Sequence, residues 1–286
     1  MILSTIRERL AADQTQLMQA LGLAPYDARM EAHLLMATAL DVNRAWLLAH
    51  DDEALAPAPA ARYTGWFKRR LAGEPIAYIF GEKEFYGLMF KVSPAVLIPR
   101  PETELLVELA LACIPVDRPC RVLDLGTGSG VIAITLAKLR PLAELVAVDV
   151  SPAALELAHE NARNLKANNV LFIESDWFSA LGNIEKFDVI VSNPPYVSAD
   201  DPHLARGDLR FEPPHALVAG ASGCDALSRI AAQAISHMAT PGTLFLEHGY
   251  GQGEYARATL RQTGFHGCVT YRDLCGSERV TLGAAG

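Results

Sequence analysis

From Cys120 onward, short apolar runs alternate with stretches of helical period, and this alternation constrains the fold more than any other feature. Arg121–Leu125, Leu145–Val150, Val170–Glu174, Asp188–Ser192 and Thr243–Glu247 have the length and apolar character of strands buried in a parallel sheet. Between and after them, Val131–Leu139, Ala153–Leu165, Ala226–Met238 and Glu254–Gln262 read as helices. Ser151 is placed to cap the second of these, and Pro152 suits its first turn. The order predicts a doubly wound, Rossmann-like α/β domain. Val269–Arg272 and Arg279–Leu282, joined through Gly276, are expected to close the sheet as an antiparallel pair and bring it to seven mostly parallel strands.

The residues before this domain differ in character. Up to about residue 72 the chain reads as helical. Ala28–Leu40 repeats apolar residues at helical spacing behind Asp27 as N-cap, and Tyr63–Leu71 is closed by Gly73 and Pro75. His33 and Met36 fall inside the first pattern and read as core or half-buried residues rather than ligands. The Ala/Pro-rich stretch 54–61 reads as a loop, and Lys68, Arg69 and Arg70 as a solvated helix face. Tyr78-Ile79-Phe80 and Phe85–Phe90 around Gly87 suggest a hairpin. A helix then starts near Glu102. The expected divisions are a helical domain over 1–74, a hairpin linker over 75–100 and an α/β domain over 101–286.

Half of the 286 residues are hydrophobic, enough for a large core, and the net charge is −8. Proteins that grip duplex DNA usually carry a basic face, so the balance argues against that class. Five cysteines form no C-x-x-C pair and are expected to be free thiols, mostly buried, in a reducing compartment. Charges interrupt Met1–Leu10 before a leader-type apolar region could form, and no apolar run has bilayer-spanning length. The expectation is a soluble cytoplasmic protein, monomeric by default.

Asp124-Leu125-Gly126-Thr127-Gly128-Ser129-Gly130 falls where the first strand feeds a helix. Glycines there let the backbone turn sharply and approach a ligand that no side chain blocks. Many nucleotide-binding domains share such a turn, so two details matter. A dinucleotide fingerprint would need glycine where Val131 stands. Asp149 ends the next strand, roughly twenty residues on, where a carboxylate can take both ribose hydroxyls. S-adenosylmethionine has no phosphates; it needs room for a methionine moiety beside the turn and an acceptor, such as Asp124, for its ammonium. Gly126, Thr127, Gly128, Ser129 and Gly130 are therefore expected to bind it together with Asp124 and Asp149. Asp176 and Trp177, after the third strand, are expected to meet the adenine, Asp176 at the exocyclic amine and Trp177 on the ring face. Plain core packing is the alternative for Trp177. No metal site is expected.

Phe187–Ser192 runs into Asn193-Pro194-Pro195-Tyr196 at the carboxyl edge of the sheet, where such folds place ligands. A planar amino group here can donate one hydrogen to the Asn193 side-chain oxygen and the other to the Pro194 carbonyl, with Tyr196 over its plane. Such a nitrogen is a weak nucleophile because its lone pair is delocalised. Two fixed acceptors orient it for in-line attack on a sulfonium methyl. Asn193, Pro194, Pro195 and Tyr196 are the expected substrate site.

Leu97–Glu104 (LIPRPETE), Asp124–Gly130 (DLGTGSG) and Val191–Tyr196 (VSNPPY) together resemble the peptide-chain-release-factor glutamine methyltransferases, the PrmC/HemK family. Phe85-Tyr86-Gly87, Ala147-Val148-Asp149, Phe211-Glu212-Pro213, Leu246-Glu247-His248-Gly249 and Arg272–Gly276 extend the likeness, although Cys275 stands where that family often has alanine. The resemblance implies a class I methyltransferase domain behind N-terminal helices that help grip a release factor. It also implies N5-methylation of the glutamine in the Gly-Gly-Gln motif of class-one release factors. The same resemblance implies that Asn193 touches the cofactor as well as the substrate. Thr103 is a further expected cofactor contact, and His248 is expected to be structural. Three rival readings remain: an adenine-N6 DNA methyltransferase, a methyltransferase for another protein's glutamine, and a non-enzymatic cofactor-binding regulator. A DNA enzyme must extrude its base and hold the duplex, and little chain after Tyr196 is free for that.

Overall fold

The computed structural model describes residues 5–182 and 186–286. The first four residues of the Met1–Leu10 stretch lie outside that range. The chain forms two compact units. One takes the residues up to Phe80 and adds His203–Phe211; the other takes Gly81–Pro202 and Glu212–Gly286.

The first unit contains α1 (Ile6–Leu21), α2 (Pro25–Leu40), α3 (Arg44–Ala49), α4 (Pro57–Leu71) and α5 (Ile76–Phe80). Thr5 and Glu8 form a capping box that satisfies two orphan N–H groups at the start of α1. Leu10, Leu17, Leu35, Met36, Tyr63 and Phe67 build the core. Buried Asp13 accepts from the Tyr63 hydroxyl and from Arg9, each at 2.7 Å, so its charge is paired.

Four expectations change here. The stretch 54–61 is not all loop, because Pro57 occupies the first turn of α4, where a missing N–H is tolerated. α2 begins at Pro25 behind Ala24, which places Asp27 inside its first turn rather than at the cap. Arg70 is buried, held by Glu31 at 2.7 Å and by Asp208 of the returning segment at 2.9 Å, while Arg69 pairs with Glu74. Tyr78-Ile79-Phe80 is helical and belongs to the first unit, so the hairpin starts later than 75. The division falls after Phe80 rather than after residue 74.

In the second unit, β1 (Glu82–Phe85) and β2 (Leu88–Lys91) form the hairpin. Its two turn residues, Tyr86 and Gly87, have φ of 52° and 74°, the left-handed geometry that matches strand twist in a two-residue turn. Tyr86 tolerates it with its N–H donated to Glu104 at 3.0 Å. There follow α6 (Thr103–Cys113), β3 (Cys120–Leu125), α7 (Val131–Leu139), β4 (Ala143–Asp149), α8 (Pro152–Leu165), β5 (Val170–Glu174) and β6 (Phe187–Ser192). α9 (Asp225–Ala234), β7 (Met238–Glu247), α10 (Gly253–Gln262), β8 (His266–Arg272) and β9 (Glu278–Ala285) complete the unit.

The seven strands lie in the order β5-β4-β3-β6-β7-β9-β8, parallel except for β9, which runs antiparallel to both neighbours. Successive residues of β3 enter opposite apolar layers. Val122 packs with Leu106, Ile134 and Leu136 of α6 and α7; Leu123 packs with Leu227, Ile230 and Leu260 of α9 and α10. Both faces are covered, as a parallel sheet requires. The helix expected to reach Met238 ends at Ala234 instead, because Met238 already pairs with Phe187 of β6 as the first residue of β7.

β4 and β5 extend the sheet on one side of β3, and β6 and β7 on the other. The crossover direction therefore reverses between β3 and β6, which opens a crevice at their carboxyl ends. Leu125 and Ser192 are register partners there, and the Ser192 hydroxyl donates to the Leu125 carbonyl at 2.7 Å. The glycine turn and the Asn-Pro-Pro-Tyr turn thus leave the sheet side by side.

Candidate active site

Gly126, Gly128 and Gly130 have φ of 73°, 57° and 84°, so the turn is built on left-handed backbone that side chains oppose. Gly126 and Thr127 donate their N–H groups to the Val148 carbonyl at 2.9 Å. Asp149 uses both oxygens, accepting from Gly128 N at 2.8 Å and Ser151 N at 2.9 Å. A Cβ on Gly128 would meet nothing within 4 Å, whereas one on Gly130 would lie 2.7 Å from Ile134 Cδ1. Gly130→Ala is therefore expected to destabilise the protein by about 1–3 kcal/mol, from strain and overpacking together. Thermal unfolding checks this, with a fall in Tm expected.

A cleft with about 930 Å³ of open space, including its mouth, lies against this turn. Its wall includes Thr103, Gly126, Thr127, Gly128, Ser129, Asp149, Asp176, Trp177, Asn193 and Pro195, all of them among the expected site residues. Asp124, Gly130, Pro194 and Tyr196 are not part of that wall. Asp124 sits wholly buried in β3, where its Oδ2 accepts from Thr127 Oγ1 at 2.7 Å and from Ala133 N at 3.2 Å. Its Oδ1 has no partner among the described residues, and burial pushes its pKa up to about 7, against the lowering by Thr127 and Ala133. Asp176 lines the cleft but also accepts from Arg229 at 2.7 Å. Trp177 holds the left-handed φ of 52°, uncommon for a bulky residue, beside Gly126.

On the β6 side, Asn193 Nδ2 donates to Thr103 Oγ1 at 3.1 Å, while its Oδ1 is buried and without a partner among the described residues. Gln252 clamps the next turn, donating to the carbonyls of Tyr196 at 3.1 Å and Gly223 at 3.3 Å and accepting from Gly249 N at 2.8 Å. Burial, with a smaller push from Glu247, raises the Tyr196 phenol to about 12, so it stays neutral. His248 is fully buried with one ring nitrogen at the Gly249 carbonyl and the other at Thr281 Oγ1, a structural arrangement. Burial and nearby Arg279 and Arg257 lower its pKa, opposed by Gly249 and Glu278.

Sequence reasoning missed three supports. Glu247 is wholly buried at the end of β7, its Oε2 without a hydrogen-bond partner among the described residues, and burial lifts its pKa to about 7, opposed by nearby Thr103, Arg279 and Asn193. Buried Glu212 accepts from Ile98 N at 3.1 Å and pairs with Arg100, pinning the segment before α6 that supplies the cleft wall. Gln252 is the third. For Glu247 the available signal was an acid ending an apolar run, the same signal that marked Asp149. Among the described residues, no group of three or more His, Cys, Asp or Glu is placed to hold a metal ion.

The residues fit a cationic, adenosine-bearing ligand. An uncompensated buried carboxylate oxygen on Asp124 and the Asp149 carboxylate suit a positive charge. An aromatic wall at Trp177 and a turn open at Gly128 suit a flat, bulky group. The fold and this site define a methyltransferase. A methyltransferase-domain family model matches residues 117–262, and a PrmC N-terminal-domain model matches residues 10–81. The release factor glutamine methyltransferase of Bordetella pertussis is 49% identical over 89% of this chain and 94% of that protein. The Salmonella typhimurium enzyme of the same name is 48% identical over 89% and 91%. A solved T. thermophilus 16S rRNA N2 G1207 methyltransferase matches with a TM-score of 0.54 at 21% identity, covering 72% of this chain and 50% of that one, a likeness of fold. The chain belongs to the release factor glutamine methyltransferase family.

Proposed function

We propose that this protein transfers a methyl group from S-adenosylmethionine to the side-chain amide nitrogen of the glutamine in the Gly-Gly-Gln motif of class-one release factors. The observation that carries the reading is Asn193, whose donor end is occupied by Thr103 while its buried acceptor end has no partner among the described residues. A buried acceptor left unpaired costs about 1–3 kcal/mol, and an incoming N–H removes that cost. Asn193 Oδ1 and the Pro194 carbonyl would take the two amide hydrogens, and Tyr196 would cover the amide plane. When bound, S-adenosylmethionine supplies an electrophilic methyl, so that the N–C bond forms as the C–S bond breaks, leaving S-adenosylhomocysteine. The methylated nitrogen then sheds its proton to water without a dedicated base, because a protonated amide nitrogen is strongly acidic. Gly126–Gly130, Asp149, Asp176, Trp177 and Thr103 would hold the cofactor, with Asp124 beneath the turn.

A cytoplasmic location and a monomeric state belong to the same reading. Among the described residues, no helix is long and apolar enough to cross a membrane. The helical first unit is the part assigned to gripping the release factor, and the net charge of −8 disfavours DNA. Labelled S-adenosylmethionine offered with a release factor, its Gln→Asn variant and adenine-containing DNA tests the assignment. Label is expected on the unaltered release factor alone. Label on DNA with none on protein would overturn it.

A further inference from the structure

The chain that leaves Tyr196 makes a long excursion before it turns back. Val197 N donates to the Leu217 carbonyl at 2.8 Å, Ala219 N to the Val197 carbonyl at 2.9 Å and Ala199 N to the Gly220 carbonyl at 2.9 Å. The two ends of the loop are thus stitched together directly behind the Asn-Pro-Pro-Tyr turn. The stitch is a single parallel bridge, Val197 with Val218, and a strand pair standing alone holds weakly. Between the ends lie only 3₁₀ turns, over Pro202–Ala205, Gly207–Phe211 and Pro214–Ala216. A connection longer than about 12–15 residues without regular structure usually serves a function. The far part of this one, His203–Phe211, belongs to the first unit. Beyond it Glu212 accepts from Ile98 N at 3.1 Å, and His215 and Ala216 enter the cleft wall.

Asp208 fastens the far part. Its Oδ1 accepts from Arg70 Nη1 at 2.9 Å, and nearby Arg210 Nη2 donates to the Ala72 carbonyl at 3.3 Å. Arg70 does not depend on Asp208 for its own burial. Glu31 already takes Arg70 Nε at 2.7 Å and Nη2 at 2.9 Å, a two-bond pairing that neutralises the guanidinium. The Gly73 and Glu74 carbonyls accept from Nη1 as well, at 3.3 and 3.2 Å. The second carboxylate is therefore surplus to the charge balance of the helices, whereas it fixes the loop. A loop fixed at its ends and at a point between has less freedom to lose when substrate binds. We infer that Asp208 is a positioning residue: held by Arg70, it keeps the chain beyond Tyr196, and with it the turn that receives the glutamine amide, in binding geometry. This rests on the glutamine-methylating reading above.

The test compares the full-length parent with Asp208→Ala. Transfer to release factor, S-adenosylhomocysteine affinity, melting and backbone amide exchange are measured in both. A loosened loop populates its competent form less, and bound substrate draws it back, so the loss falls on KM rather than on kcat. D208A is expected to raise KM for release factor about 10-fold, with kcat within about threefold of the parent. The N–H groups of Val197, Ala199 and Ala219 should exchange with water about 10-fold faster in the variant. Glu212 still holds the wall that carries His215 and Ala216, so cofactor affinity should stay within about threefold. Melting should change little, because Asp208 is half-exposed and such pairs contribute weakly to stability. A KM within about threefold of the parent, exchange equal to the parent's, or a KM rise matched by an equal loss of cofactor affinity or by a fall in Tm would overturn the proposal. If the parent itself methylates no release factor, the proposed function fails, yet exchange at the three amides still decides the role of Asp208. Faster exchange in D208A supports it, and equal exchange refutes it.

Discussion

Asn193→Ala is expected to lower kcat/KM for glutamine methylation by about 10³-fold or more, while S-adenosylmethionine affinity stays within about threefold. Two contributions vanish together. One is the acceptor that orients the amide nitrogen, and the other is the oxygen that stabilises the positive charge growing there as the methyl arrives. Both act on the transition state, so the loss should fall mainly on kcat. The cofactor keeps its turn, since the Gly126–Gly130 backbone is held by Val148 and Asp149 rather than by Asn193. Single-turnover transfer and calorimetric titration measure the two quantities separately. A loss of cofactor affinity like that of an Asp149 variant would contradict this division.

Asp149→Ala is expected to show the opposite split, with cofactor affinity falling by about 10²–10⁴-fold. Its two oxygens hold Gly128 N and Ser151 N, and removal strips both of their acceptor. Each such group costs about 1–3 kcal/mol when left unpaired, and the glycine turn loosens as a result. Any contact to the ribose hydroxyls is lost as well. Titration with S-adenosylhomocysteine checks the expectation, and an affinity within about threefold of the parent would count against it.

The parallel sheet was readable because strands buried on both faces leave apolar runs that little else produces. Each of the five expected runs overlaps a strand, and the closing pair falls on β8 and β9. Element ends were less legible. Pro57 and Pro59 look like loop residues, yet both fit the first turn of α4, where N–H groups lack intrahelical partners anyway. Met238 continues a helical pattern but is taken by pairing with Phe187. Tyr78-Ile79-Phe80 has β-type composition, yet it is helical: Tyr78 and Ile79 both donate to the Pro75 carbonyl, and Phe80 packs edge-on against Trp66 of α4.

Of the residues that carry their own local signal, Gly126, Gly128, Asp149, Asn193 and Pro195 lie on the cleft wall, whereas Gly130, Pro194 and Tyr196 do not. Contacts made by distant partners had no such signal. Arg70 looks like a solvated charge until Glu31 and Asp208, 39 and 138 positions away, are seen to bury it. Thr103 and Asn193 are 90 positions apart, so no local pattern could reveal that one orients the other. Asp176 was expected to serve a ligand, but its bond to Arg229 depends on α9, which the local pattern could not place beside it.

The structure of the protein with S-adenosylhomocysteine and a Gly-Gly-Gln peptide tests the central claim most directly. Asn193 Oδ1 and the Pro194 carbonyl oxygen are expected at about 2.7–3.2 Å from the glutamine amide nitrogen, with that nitrogen facing the sulfur. A glutamine bound with its nitrogen turned from the sulfur, or held by groups other than Asn193 and Pro194, would contradict the account.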